Sequence, residues 1–227
     1  MIKPESFEKK MHIARDVEGN PRREELEIIR QLEEKLSLNK SFVGLAPFGS
    51  LMGGYGTKES DIDLFILCDD SELNKPLSEQ KQPSDSDFLQ KQAYELGEEM
   101  KRNGRNVEFI FQNINPDYLV KSAKFWLKNR GNLGDYVPLS LEAMTRVVTG
   151  GKIGQYRKAM AEKFGGLDQK QKRMAADEIM KSLMKREIAS LRKREMRMPE
   201  ISPEDHQKIL SAREAMWRDR IRKIWNL

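Results

Sequence analysis

The stretch FVGLAPFGSLMGGYGTKESDIDLFILC, residues 42–68, holds two apolar runs on either side of a glycine-rich polar segment. The first run, Phe42 to Phe48, predicts a short strand ending at Gly49-Ser50, with Pro47 weakening its last residues because proline cannot donate to a ladder. Residues 49–60 read as a loop, and residues 61–68, DIDLFILC, as the clearest strand in the chain. Residues two apart on a strand point to one side, so Asp61 and Asp63 stand together at the start of an apolar strand. Two carboxylates so placed repel each other, and a divalent cation such as Mg²⁺ relieves that repulsion while also taking substrate phosphates.

Upstream, Leu26, Ile29, Leu32 and Leu36 recur at helical spacing, which predicts an amphipathic helix over 22–38 after a polar arm at 1–20. Downstream of a polar loop at 69–84, Leu89, Ala93, Leu96 and Met100 mark a helix over 87–103 that stops at Gly104. NVEFIFQ, residues 106–112, alternates as a third strand and carries Glu108 between Val107 and Phe109. A carboxylate in a buried strand needs a partner, and if this strand lies beside the Asp61/Asp63 strand, Glu108 completes a cluster of three. Such a cluster can hold two metal ions about 4 Å apart, one activating an attacking oxygen and one stabilising a leaving pyrophosphate. From Asp117 onward the periodicity is helical throughout, with the last two helices at 168–197 and 203–225. The expectation is an α+β fold: a small mixed sheet with helices on one side over residues 1–115, then an all-helical region over 116–227.

Glycine directly after a strand lets backbone approach a phosphate closely, and Ser50 adds a hydroxyl donor to Gly49. The spacing is not that of a P-loop, because no G-x-x-x-x-G-K-[ST] occurs. Gly-Ser, ten residues, then Asp-x-Asp flanked by strands resembles the nucleotidyltransferase superfamily typified by DNA polymerase β, and within it the minimal nucleotidyltransferases. The resemblance spans roughly residues 22–112. It implies that Asp61 and Asp63 bind catalytic Mg²⁺ or Mn²⁺, that Gly49, Ser50 and Ser60 contact an NTP, with ATP the expected donor, and that Glu108 is the third carboxylate. It further implies transfer of a nucleoside monophosphate to an acceptor hydroxyl with release of pyrophosphate. Relatives use RNA, including tRNA ends, protein hydroxyls, and aminoglycoside or lincosamide antibiotics as acceptors, and some serve as antitoxin-like modules that bind a partner protein. Minimal members often carry basic residues just after Gly-Ser, where this chain has Leu51 and Met52. Lys58, or a lysine of the helical region such as Lys121, Lys124 or Lys152, is then the candidate to offset the triphosphate charge.

Composition narrows the setting. No apolar run approaches the ~20 residues of a membrane span, so no membrane partner is expected. The N-terminus lacks the apolar core of a secretory signal. One cysteine, Cys68, cannot form an internal disulfide, and two histidines cannot build a His/Cys metal site. These features fit a reducing, cytoplasmic setting. The net charge of +5 conceals an asymmetry: residues 1–115 hold 16 Lys/Arg and 22 Asp/Glu, residues 116–227 hold 25 and 14. A basic half of that strength either presents solvated helix faces or meets a polyanion such as RNA. Within it, 185–197 reads as an amphipathic helix burying Ile188 and Leu191, Trp217, Ile221 and Ile224 as a packing seam, and His12 and His206 as surface residues.

Overall fold

The computed structural model describes residues 23–50, 60–75, 79, 83–130, 136–146, 149–197, 199 and 201–225. Helix α1 (Arg23–Leu36) precedes strands β1 (Phe42–Phe48) and β2 (Ile62–Cys68). A short 3₁₀ turn, Ser71–Asn74, leads on to α2 (Asp85–Arg102) and β3 (Val107–Asn113). Five helices then complete the chain: α3 (Pro116–Arg130), α4 (Tyr136–Thr145), α5 (Ile153–Gly165), α6 (Gln169–Arg197) and α7 (Pro203–Trp225). His12, the arm at 1–20, Lys58 and the glycines of residues 51–59 lie outside the described residues.

Local chemistry explains the element ends. At the start of α2 the Ser84 hydroxyl accepts from the Asp87 backbone N–H, and the Asp87 carboxylate accepts from the Ser84 N–H, so two orphan donors are satisfied at once. The cap sets the helix start two residues ahead of the expected Asp87. Gly104 closes α2 with a positive φ of 77°. Pro47 stays inside β1 without loss. The Leu45 N–H faces outward to the Thr149 carbonyl, so by the strand's two-residue period the Pro47 nitrogen faces the same outer edge.

The sheet order is β1-β2-β3, with β1 antiparallel and β3 parallel to the central β2. Ile62, Leu64, Ile66 and Cys68 face α1 and α2, where they share a core with Ile29, Leu32, Leu36, Leu89, Ala93 and Met100. Phe65 and Leu67 point the other way, into a second core with Phe48, Leu119, Leu141, Phe164, Ile179, Leu183 and Trp217. A strand covered on both faces reads as a continuous apolar run, and β2 does. The helices expected on one side are α1 and α2; the helical half covers the opposite face and shares its core with the sheet. Among the described residues no helix is long and apolar enough to cross a membrane.

Two expectations for the helical half are corrected. His206 is 1% exposed, because it opens the inward stripe His206, Ile209, Arg213, Trp217, Ile221 and Trp225 of α7. Ile188 is 41% exposed and Leu191 half-buried, because the inward stripe of α6 runs through Ala175, Ile179, Leu183, Glu187 and Arg194 instead. Charged residues occupy core positions there, with Glu187 accepting from Arg213 at 2.7 Å and from the Trp217 indole at 3.2 Å. Trp217 and Ile221 are buried, as a packing seam requires.

Glu142 on α4 is wholly buried and ties α4 to α6. It pairs at 2.9 Å with Arg146, just past the end of its own helix, and with Arg186 of α6 at 2.8 Å, and it accepts from the Ser182 hydroxyl at 2.8 Å. Removing the anion from such a site leaves buried cations uncompensated. Glu142→Ala should therefore cost about 3–5 kcal/mol of stability, to be read from urea unfolding at constant m-value.

Candidate active site

The acidic residues meet where β1 ends and where β2 and β3 begin. In the ladders Asp63 stands opposite Phe48 on one side and Glu108 on the other. The Ile62 N–H donates to the Asn106 carbonyl at 3.0 Å, which locks the start of β2 to the start of β3. Parallel neighbours in register present their side chains to one face, so Asp63 and Glu108 share the face on which Phe65 packs against the helical half. Asp61 lies just ahead of β2, two residues from Asp63. Both aspartates are half-buried; Glu108 is exposed, because β3 is an edge strand and not the buried strand expected.

Asp63 is the most perturbed of the three. Burial, then the charge of Glu108, then that of Asp61 push its carboxyl up to about 6, while Lys193 and the Ser50 backbone N–H pull the other way. Gly49 has φ of 71°, and a Cβ there would sit 1.7 Å from an Asp63 carboxylate oxygen. The turn after β1 is thus wrapped directly onto the carboxylate, and only glycine permits the approach. Ser50 and Ser60 are half-buried beside this turn and beside Asp61. Among the described residues no three His, Cys, Asp or Glu side chains gather closely enough to hold a metal ion together. What the structure brings together is a set of hard carboxylate oxygens whose mutual repulsion already raises Asp63, the donor chemistry that a divalent cation satisfies.

Of the lysines singled out in the sequence, Lys121 and Lys124 are exposed on α3. Lys152 donates to the Phe42 carbonyl at 3.5 Å, at the end of β1 away from Gly49, roughly 20 Å along the strand. The lysine whose charge reaches Asp63 is Lys193, near the end of α6. On the same helix Arg186 lies over the rings of Phe48 and Phe65, at 5.5 and 5.4 Å, with its guanidinium tied to Glu142. These two rings are 4.3 Å apart and floor the face that Asp63 shares. The residues 186, 190 and 193 follow an i, i+4, i+7 stripe, the one sequence signal that relates Arg186 to Lys193. Glu142, a lone acid in the apolar helix YVPLSLEAMT, was the other clue left unread.

Residues 4–116 match the family described as poly(A) RNA polymerase, mitochondrial-like, central palm domain. The match spans the three strands with α1 and α2 and ends where α3 begins. Neither the curated proteins nor the solved structures contain a match to the chain.

Two consequences can be measured. Gly49→Ala places a methyl group on the Asp63 carboxylate and strains a left-handed backbone, so it should lower stability by about 2 kcal/mol or more in a thermal melt. The second concerns pH. A carboxyl raised from 3.8 to about 6 on folding costs nothing when both states are protonated and its full cost when both are ionised. Without divalent cations, stability from this group falls as pH rises through that window. Asp63→Asn should accordingly melt above the wild type at pH 8 and together with it below pH of about 4.

Proposed function

We propose that the chain is an enzyme of the nucleotidyltransferase superfamily that transfers AMP from ATP to a terminal hydroxyl of RNA, releasing pyrophosphate. The observation that carries this reading is the placement of Asp63 between the Gly49-Ser50 turn and Glu108, at the mouth of the central strand. The matched family takes its name from poly(A) RNA polymerases, which supports ATP as donor and RNA as acceptor. The excess of cations in residues 116–227, 25 Lys/Arg against 14 Asp/Glu, supports a polyanionic acceptor.

In this reading Asp61 and Asp63 would hold divalent cations, Mg²⁺ or Mn²⁺, with Glu108 drawn in from the neighbouring strand on binding, and the cations when bound supply charge neutralisation for the triphosphate. The Gly49-Ser50 turn offers close backbone approach and a hydroxyl to the phosphates, and Ser60 lines the same end of the sheet. Lys193 faces this end from α6 and balances the developing negative charge, in the place left open by Leu51 and Met52. The acceptor oxygen attacks the α-phosphorus in line, the bond to the β-phosphate oxygen breaks, and pyrophosphate leaves. The acceptor proton passes to solvent, since the carboxylates at this end of the sheet are engaged in holding the cations.

Incubation with each α-labelled NTP, Mg²⁺ or Mn²⁺ and cellular RNA should label RNA from ATP, and the Asp61→Asn/Asp63→Asn double variant should lose at least about 10³-fold of that rate while keeping its fold by circular dichroism. Label in protein or in a small molecule would reassign the acceptor. Turnover that survives both substitutions would remove the carboxylates from the reaction.

A further inference from the structure

Helix α3 buries Leu119, Ala123 and Leu127 against the second core and turns Lys121, Lys124, Phe125, Trp126 and Lys128 outward. Lys121, Phe125 and Lys128 form an i, i+4, i+7 stripe about 10 Å long, with Lys124 beside it. Phe125 is 59% exposed and Trp126 37%, and the two rings meet edge to face at 6.0 Å. Single exposed apolar side chains are ordinary. Two adjacent exposed aromatics with three lysines on the same outer face of the helix are a different surface.

The charge on this surface is not consumed locally. Among the described residues, Lys121, Lys124 and Lys128 enter no ion pair, and the one acid of α3, Asp117, is held by Lys163 at 2.6 Å. Helix α7 is as rich in cations but balances many of them itself: Lys208 with Glu204 and Asp205, Arg218 with Glu214, Arg222 and Lys223 with Asp219. Unbalanced lysines select a polyanion, and flat exposed rings select unpaired bases over a duplex, whose bases are already stacked. We infer that the outer face of α3 binds single-stranded RNA, with Phe125 and Trp126 stacking bases and Lys121, Lys124 and Lys128 meeting phosphates. This surface would retain the acceptor strand while its end is extended, so the inference rests on the RNA-acceptor reading of the catalytic site.

The test is fluorescence anisotropy of a labelled single-stranded RNA oligonucleotide titrated with the full chain, without nucleotide, at several salt concentrations. Phe125→Ala/Trp126→Ala should weaken binding by about tenfold or more and erase the preference over duplex RNA, leaving the salt dependence unchanged. Lys121→Gln/Lys124→Gln/Lys128→Gln should lower the slope of log affinity against log salt by about 2, and the triple change to arginine should restore it. Both variants should melt as the wild type does. Wild-type affinity in both variants overturns the inference, as does a wild-type chain that does not bind the oligonucleotide. Loss of self-association in the aromatic variant with RNA affinity intact also overturns it and makes the face a protein interface. Failure of transfer with RNA binding intact counts against the catalytic reading and leaves this one standing.

Discussion

A carboxylate planted on the central strand of a sheet covered on both faces is the constraint on which the rest of this structure turns. Asp63 interrupts a strand whose other six residues are buried and apolar or nearly so. Every neighbouring element is arranged around that charge. The first strand ends in the glycine that its oxygen nearly touches, the turn donates a backbone N–H to it, the third strand sets Glu108 beside it, and the longest helix sends Lys193 toward it. Three influences raise its carboxyl and two oppose them, and the balance pushes it up to about 6. A solvated surface aspartate would show none of this.

A second buried charge, Glu142, holds the helix that bears Lys193. Glu142 ties α4 to α6 through Arg186 and Ser182, and Arg186 in turn rests on Phe48 and Phe65 on the face that Asp63 shares. Buried ion pairs are weak sources of stability compared with apolar packing, but they fix geometry, because a carboxylate accepts only a few arrangements of donors. Glu142 therefore acts as a register pin between the helical half and the sheet, with about the same role in the helices that Asp63 has in the strands.

Much of the palm was readable from its residues. DIDLFILC announced the clearest strand, the i, i+2 spacing put Asp61 and Asp63 side by side, and Leu89, Ala93, Leu96 and Met100 announced α2, whose Ser84 cap went unread. The third strand was legible from NVEFIFQ, and the parallel pairing that brings Glu108 level with Asp63 was the condition on which the cluster depended. The helical half resisted reading for a physical reason. Its inward stripes carry Glu187, Arg194, His206 and Arg213, so hydrophobic periodicity points to the wrong face, as it did for Ile188 and His206. Charge effects between residues more than a hundred positions apart, such as that of Lys193 on Asp63, leave no local pattern at all.

The charge asymmetry between the halves also changes meaning once the structure is in view. Part of the positive excess of residues 116–227 is spent inside: Arg146 and Arg186 on Glu142, Arg213 on Glu187, with Arg194 held down to about 10 by burial and by the charge of Arg213. Another part is balanced along α7. A count of lysines and arginines therefore overstates what the half can offer to a polyanion, and the helices are not equivalent. Where cations are neutralised by their own helix, salt would screen a pairing already made; where they stand unpaired beside exposed rings, salt would compete with whatever anion arrives. On that physical distinction, and not on net charge, α3 separates from α7 as the face turned toward a partner.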